Sequence, residues 1–180
     1  MARVRIVLVR PEVPANIGAV ARVIRNTGLD ELTLVEPGDW RTVECWRTAW
    51  GAPEILENAV VVSDLAAALA DATYVAALSG RRDGPSPALD VRDAAAEIGA
   101  LTAEDVAALV FGPESTGLTL AEIAQCGRRV QIPSHPDQPS LNLSHAVVVA
   151  GYEVLRARSR PSPLPRRAPP PGPLKARLWR

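Results

Sequence analysis

The sequence predicts an α/β protein built on a parallel sheet with helices on both faces. Two observations carry this. Short, near-continuous apolar runs alternate with helix-length segments along the chain, the pattern of strands buried on both faces and joined by crossover helices. The length, 180 residues, suits one domain with a sizeable core.

The elements follow in order. Val4–Val9 is a β-branched run of strand length. Pro14 to Thr27 reads as a helix, with Gly28 as its stop and Asn16 as a candidate cap. Leu32–Val35 is a second strand, halted by Pro37-Gly38. Arg41 to Trp50 reads as helix and Val60–Val62 as a strand; Ser63 is placed to cap the alanine-rich helix through Ala70. Thr73 to Leu78 is a strand, residues 79–85 a loop, and Val91 to Ile98 a helix. Ala107–Phe111 is a strand, and Thr119 with Glu122 forms a capping box for the helix to Cys126. Arg129–Ile132 is the last strand and Asn142–Arg158 the long final helix.

The domain is therefore expected over residues 1–158, with a Pro/Arg-rich tail over 159–180 that holds seven of the seventeen prolines. The tail reads as a solubilising segment; its Arg166, Arg167, Lys175, Arg177 and Arg180 also suit a basic arm for a polyanion. The formal net charge of zero argues against tight non-specific nucleic-acid binding but leaves room for a local basic face. Cys45 and Cys126 are too few for a disulfide framework and have no metal spacing. With no signal-peptide pattern at the N-terminus and no apolar run of membrane-spanning length, a cytoplasmic protein is expected.

In an α/β sheet, ligands bind beyond the carboxyl ends of the strands, and three loops there carry unusual residues. After the first strand, Ile17, Val20 and Ile24 form an apolar helix stripe. Gly18, Arg22, Arg25 and Asn26 lie opposite, a pattern that suits phosphate or ribose and equally an ordinary solvated face. The dinucleotide fingerprint G-x-G-x-x-G is absent. After Phe111, Gly112, Pro113, Glu114 and Gly117 make a shaped turn. At the mouth of the last helix stand Ser140, Leu141 and Asn142, where Ser140 or Asn142 can cap the helix or face the same crevice as Gly112 and Glu114.

"NIGAVAR", "VFGPESTGL" and "IPSHPDQPSLNLSHA" resemble, in order and spacing, the three motifs of the SpoU/TrmH branch of the SPOUT class of RNA ribose 2'-O-methyltransferases. The stretch "GAPEILENAVVVSDLAAALADATYVAALSGRR" is similar to the TrmJ-type tRNA subgroup. The resemblance covers about residues 4 to 156 and implies a C-terminal deep trefoil knot, a homodimer, S-adenosylmethionine as cofactor without a metal, and an RNA substrate, most naturally tRNA. It implies cofactor contacts from Ser79, Gly80, Gly112, Glu114, Ile132, Ser140 and Leu141. It implies chemistry near Asn16, Arg22, Glu114, Ser140 and Asn142, with Arg22 serving the partner chain's crevice, and RNA contacts from Arg22, Arg25, Arg81 and Arg82. His135 and His145 read as structural or substrate-side, with His135, in a loop, the better candidate for a proton acceptor. The implied target is a cytidine or uridine at the first nucleotide of the anticodon loop. Methylation of ribosomal RNA and a catalytically idle RNA-binding relative are the alternatives. Pro113 departs from the subgroup, which often has arginine there.

Overall fold

The computed structural model describes residues 1–81 and 87–159. Among the described residues the strands are β1 (Arg3–Val9), β2 (Glu31–Val35), β3 (Val60–Val62), β4 (Tyr74–Leu78), β5 (Leu89–Asp90), β6 (Val106–Phe111) and β7 (Arg128–Gln131). They form one sheet in the order β3-β2-β1-β6-β4-β7-β5, and every pairing is parallel. The helices are α1 (Pro14–Thr27), α2 (Val43–Thr48), α3 (Pro53–Glu57), α4 (Leu65–Leu69), α5 (Val91–Gly99), α6 (Leu120–Ala124) and α7 (Leu143–Arg158).

The sheet is apolar on both faces, as parallel sheets covered by crossover helices must be. Along β1, Val4, Ile6 and Leu8 point to the layer that contains α1, α5 and α7. Val7 and Val9 point to the other layer, with α4 and α6. Strand periodicity of two residues sends alternate side chains into separate cores. Ile17, Val20 and Ile24 of α1 are buried in the first of these, so the expected apolar stripe packs as its spacing requires.

α1 spans the range its sequence predicts and stops at Gly28, which takes the left-handed conformation at φ 65°. Two caps differ from expectation. The residue that precedes α1 is Val13, Pro14 fills the first turn, and Asn16 lies inside the helix and is buried. Proline fixes the first turn without needing a capping side chain, since its nitrogen has no proton to satisfy. Before α4 the capping residue is Asp64, whose carboxylate accepts from the Ala67 N–H at 2.8 Å; the Ser63 hydroxyl donates to Asp64. The Thr119–Glu122 capping box is present. The segment 41–50 yields only α2, six residues long. The sequence reading gave no sign of α3 or the two-residue β5, elements too short for a periodic signal.

Candidate active site

β1, β6, β4 and β7 are adjacent in the sheet, so the loops leaving their carboxyl ends converge. They enclose a crevice of about 370 Å³. Ser79, Gly80, Gly112, Glu114, Ile132, Ser140 and Leu141, singled out from three separate loops, all line it. Phe111, Leu143 and Ala146 add an apolar floor. Gly112 is needed for packing: a Cβ there would lie 2.3 Å from the Leu118 nitrogen. Gly80 is open by comparison, its nearest such neighbour being the Pro139 carbonyl at 3.9 Å.

A polar chain ties the three motifs together. The Glu114 carboxylate accepts from the Glu12 N–H at 2.8 Å, the Val13 N–H at 3.3 Å and Asn16 Nδ2 at 2.7 Å. It thus satisfies N–H groups at the start of α1, where a negative charge is also favoured by the helix dipole. Asn16 Oδ1 accepts in turn from Asn142 Nδ2 at 3.1 Å. Asn142 caps α7, accepting from the Ser144 N–H at 2.9 Å. Glu12 accepts from the Ser115 N–H and hydroxyl. Glu114, Asn16 and Asn142 therefore form one network whose first duty is to fix the relative positions of α1, the 112–117 turn and α7. Ser140 stands outside this network; its hydroxyl accepts from Gln138 Nε2 at 3.5 Å within its own loop.

Gly18 does not leave ligand space. A Cβ there would fall 1.9 Å from the Cys45 carbonyl oxygen and 2.2 Å from Thr48 Oγ1; α2 occupies the clearance. Arg22 is exposed and makes no hydrogen bond or ion pair among the described residues. It does not line the crevice of its own chain. Arg25 is engaged, with its guanidinium 3.1 Å from Glu54. Arg81 lines the crevice, and Arg82 lies outside the described residues, as does the tail from 160 onward. His135 is exposed beside Asp137 at 3.6 Å, and neither it nor His145 lines the crevice.

Sequence reasoning missed two residues that shape this site. Arg129 Nη1 and Gln131 Nε2 both donate to the Arg81 carbonyl, at 2.9 and 2.7 Å, and so hold the loop that carries Ser79 and Gly80. Arg129 is 7% exposed. The available signal was their spacing: two long polar side chains two apart on a strand share a face. Behind the site, Arg10 pairs with Glu122 at 2.6 Å. Burial pushes the Glu122 carboxyl up, but hydrogen bonds from Arg10 and Thr119 outweigh it and hold the group below the usual range. Burial pushes the Cys126 thiol up to about 12, which leaves it an inert side chain and not a nucleophile. Among the described residues no three His, Cys, Asp or Glu side chains cluster as a metal site requires.

The chain is 42% identical over 166 residues to the tRNA (cytidine/uridine/adenosine-2'-O-)-methyltransferase TrmJ of Pseudomonas aeruginosa, a match covering 89% of this chain and 65% of that one. It thus spans about two thirds of the length of the curated relatives it matches. A probable methyltransferase from Bordetella pertussis superposes with a TM-score of 0.81 at 38% identity, covering 88% of this chain and 97% of that one. A protein described in connection with 2-OH methylation of C/U34 on tRNA superposes with a TM-score of 0.69 at 29% identity, covering 87% and 96%. The model of the SpoU rRNA methylase family matches residues 3–152, a stretch that contains the crevice, its polar chain and all three motif loops, and the chain belongs to that family.

Proposed function

We propose that this chain is an S-adenosylmethionine-dependent RNA ribose 2'-O-methyltransferase acting on a cytidine or uridine of the tRNA anticodon loop. It works as a cytoplasmic homodimer, with α7 passed behind a loop as a deep trefoil knot. The observation that carries the reading is the meeting of seven residues from three separate loops in one crevice, tied together by the Glu114–Asn16–Asn142 chain. The named activity of the 42% identical Pseudomonas relative supports tRNA as substrate.

The residues fit the cofactor. The crevice volume suits a nucleoside-sized ligand. Ile132 and Leu141 offer apolar surface and backbone groups for adenine, while Gly80 keeps one wall low and Ser79 and Ser140 supply polar atoms. When bound, the sulfonium supplies an activated methyl group for in-line attack by a ribose hydroxyl. What the chain supplies is alignment and electrostatic help for a poorly acidic hydroxyl. The planar guanidinium of Arg22 serves as a fixed positive charge toward the developing oxyanion or an adjacent phosphate and not as a base. Since Arg22 stands away from its own crevice, it acts at the crevice of the second subunit. The exposed Val148 and Tyr152, one turn apart on α7, are suited to a subunit contact. The proton leaves to water, because neither histidine reaches the crevice.

One relative favours a second reading of the target nucleotide. The structure described for C/U34 methylation is covered almost end to end, so position 34 stands beside the first nucleotide of the loop. The test is calorimetry with S-adenosylhomocysteine in metal-free buffer, followed by methyl transfer to tRNA and mapping of the product. Binding, and a 2'-O-methyl group in the anticodon loop, are expected; no binding at millimolar ligand would sink the reading.

A further inference from the structure

α2 is a short helix whose exposed side chains its sequence does not explain. Its inner face is Cys45, buried against α1, with the buried Ala49 one turn on. Its outer face carries Val43, Trp46 and Arg47, and Trp50 follows just beyond its end. Val43 is 86% exposed, Trp46 37% and Trp50 77%. Two tryptophans with open faces on one short element call for a partner, since exposed apolar clusters of this kind mark binding surfaces.

The surroundings give that partner its chemistry. Arg47 is exposed on the same face of α2 and makes no ion pair or hydrogen bond among the described residues. Arg41, at the start of this segment, lies with its guanidinium 4.5 Å from the centroid of the Trp40 ring and keeps its outer side open. Glu44 is the one carboxylate within α2. On the α3 side, Glu54 is already neutralised by Arg25. Arginines interleaved with exposed aromatic faces suit a polyanion carrying flat rings: an unpaired stretch of nucleic acid, whose bases stack while its phosphates meet the guanidinium groups.

Thr48 Oγ1 donates to the Ala15 carbonyl at 2.9 Å, so the end of α2 is pinned beside the first turn of α1. The next residue, Asn16, belongs to the polar chain of the crevice. Arg22 lies one turn beyond Gly18, the residue packed against Cys45 and Thr48.

We infer that Trp46 and Trp50, with Arg41 and Arg47, form a stacking platform for unpaired bases of the RNA flanking the nucleotide to be methylated. This rests on the RNA methyltransferase reading and adds a binding surface outside the crevice. The test uses the full chain and a fluorescein-labelled anticodon stem-loop RNA. Anisotropy should show roughly tenfold weaker binding for each stacking ring removed in Trp50→Ala and in Trp46→Ala/Trp50→Ala. Trp50→Phe should restore much of the loss, because an aromatic face remains. Arg47→Gln should lower the salt slope of binding by about one. S-adenosylhomocysteine affinity and the thermal midpoint of Trp50→Ala should be unchanged. If Trp50→Ala binds RNA as tightly as the unaltered chain while methyl transfer proceeds, the platform is wrong and the methyltransferase reading stands. If Trp50→Ala instead alters the sedimentation of the free protein, the patch is a subunit contact and the proposal falls. If the unaltered chain binds no RNA, both fall.

Discussion

The two walls of the crevice are built differently. On one side, the 112–117 turn sits so tightly that Gly112 has no room for a methyl group. There Glu114 takes three hydrogen bonds from the start of α1. On the other side, residues 133–141 are exposed throughout, their bonds are mostly local, such as Ser134 to the Pro139 carbonyl, and a Cβ on Gly80 would meet them only in ordinary contact, 3.9 Å from the Pro139 carbonyl. One wall is fixed by bonds between distant elements; the other is held mostly by bonds within itself. A methyl transfer needs both, because alignment demands rigidity and entry demands an opening.

The largest effect should come from a residue on neither wall. Arg22→Ala removes an exposed guanidinium without packing duties, so the melting temperature and cofactor affinity should stay put. Single-turnover methyl transfer should fall by about a hundredfold or more, and Arg22→Lys should recover little of it because an ammonium lacks the planar fork. Near-normal turnover in Arg22→Ala would mean that the two walls suffice without it. Next comes the direct contrast between the glycines. Gly112→Ala forces backbone apart and should cost about 1–3 kcal/mol of stability, with S-adenosylhomocysteine affinity dropping in parallel. Gly80→Ala should stay within about 0.5 kcal/mol. Equal melting curves for the two would erase the distinction between the walls.

A milder probe is Glu114→Gln, which keeps the shape but removes the charge at the α1 terminus. A loss of about 1–2 kcal/mol in chemical denaturation is expected, against about 0.5 kcal/mol or less for Ser140→Ala on the open side. The smallest effect is that of mild acid. Glu122 and Asp71 have carboxyl groups held low by Arg10 and Arg5 respectively. A depressed folded-state value gives stability that is complete above the unfolded value and lost as pH falls through the folded one. Melting temperature should therefore be level from neutrality down to about pH 5 and decline below about pH 4. A decline that begins near pH 6 would mean that these two carboxylates do not set the acid limit.

The sheet was legible because parallel strands buried on both faces are written as apolar runs, and most of their bounds fall within a residue of those observed. The crevice lining was legible through motif resemblance, which places glycine, serine and apolar residues after particular strands. What could not be read was pairwise packing. Gly18 and Arg22 share a helix spacing that suits a ligand, yet α2 fills one position and leaves the other open; nothing in the period of α1 records its neighbour. Asn16 has a capping side chain, but Pro14 had already set the helix start, which left the amide for Glu114. Arg128 and Arg129 are adjacent and identical, and only strand direction makes the first exposed and the second 7% exposed.

The bond chain from Glu114 through Asn16 to Asn142 joins residues separated by 98 and 126 positions. No fragment of the chain emerging from a ribosome can make it until α7 has been synthesised and seated. Parallel pairing of distant strands already slows such folds, and completing the crevice network requires Asn142 at the mouth of the last helix. A partly made chain can join Glu114 to the start of α1, but the link to Asn142 waits for the last helix. In a refolding experiment, recovery of S-adenosylhomocysteine binding should trail the return of helical circular dichroism, with the delay measuring how long the last helix takes to find its place.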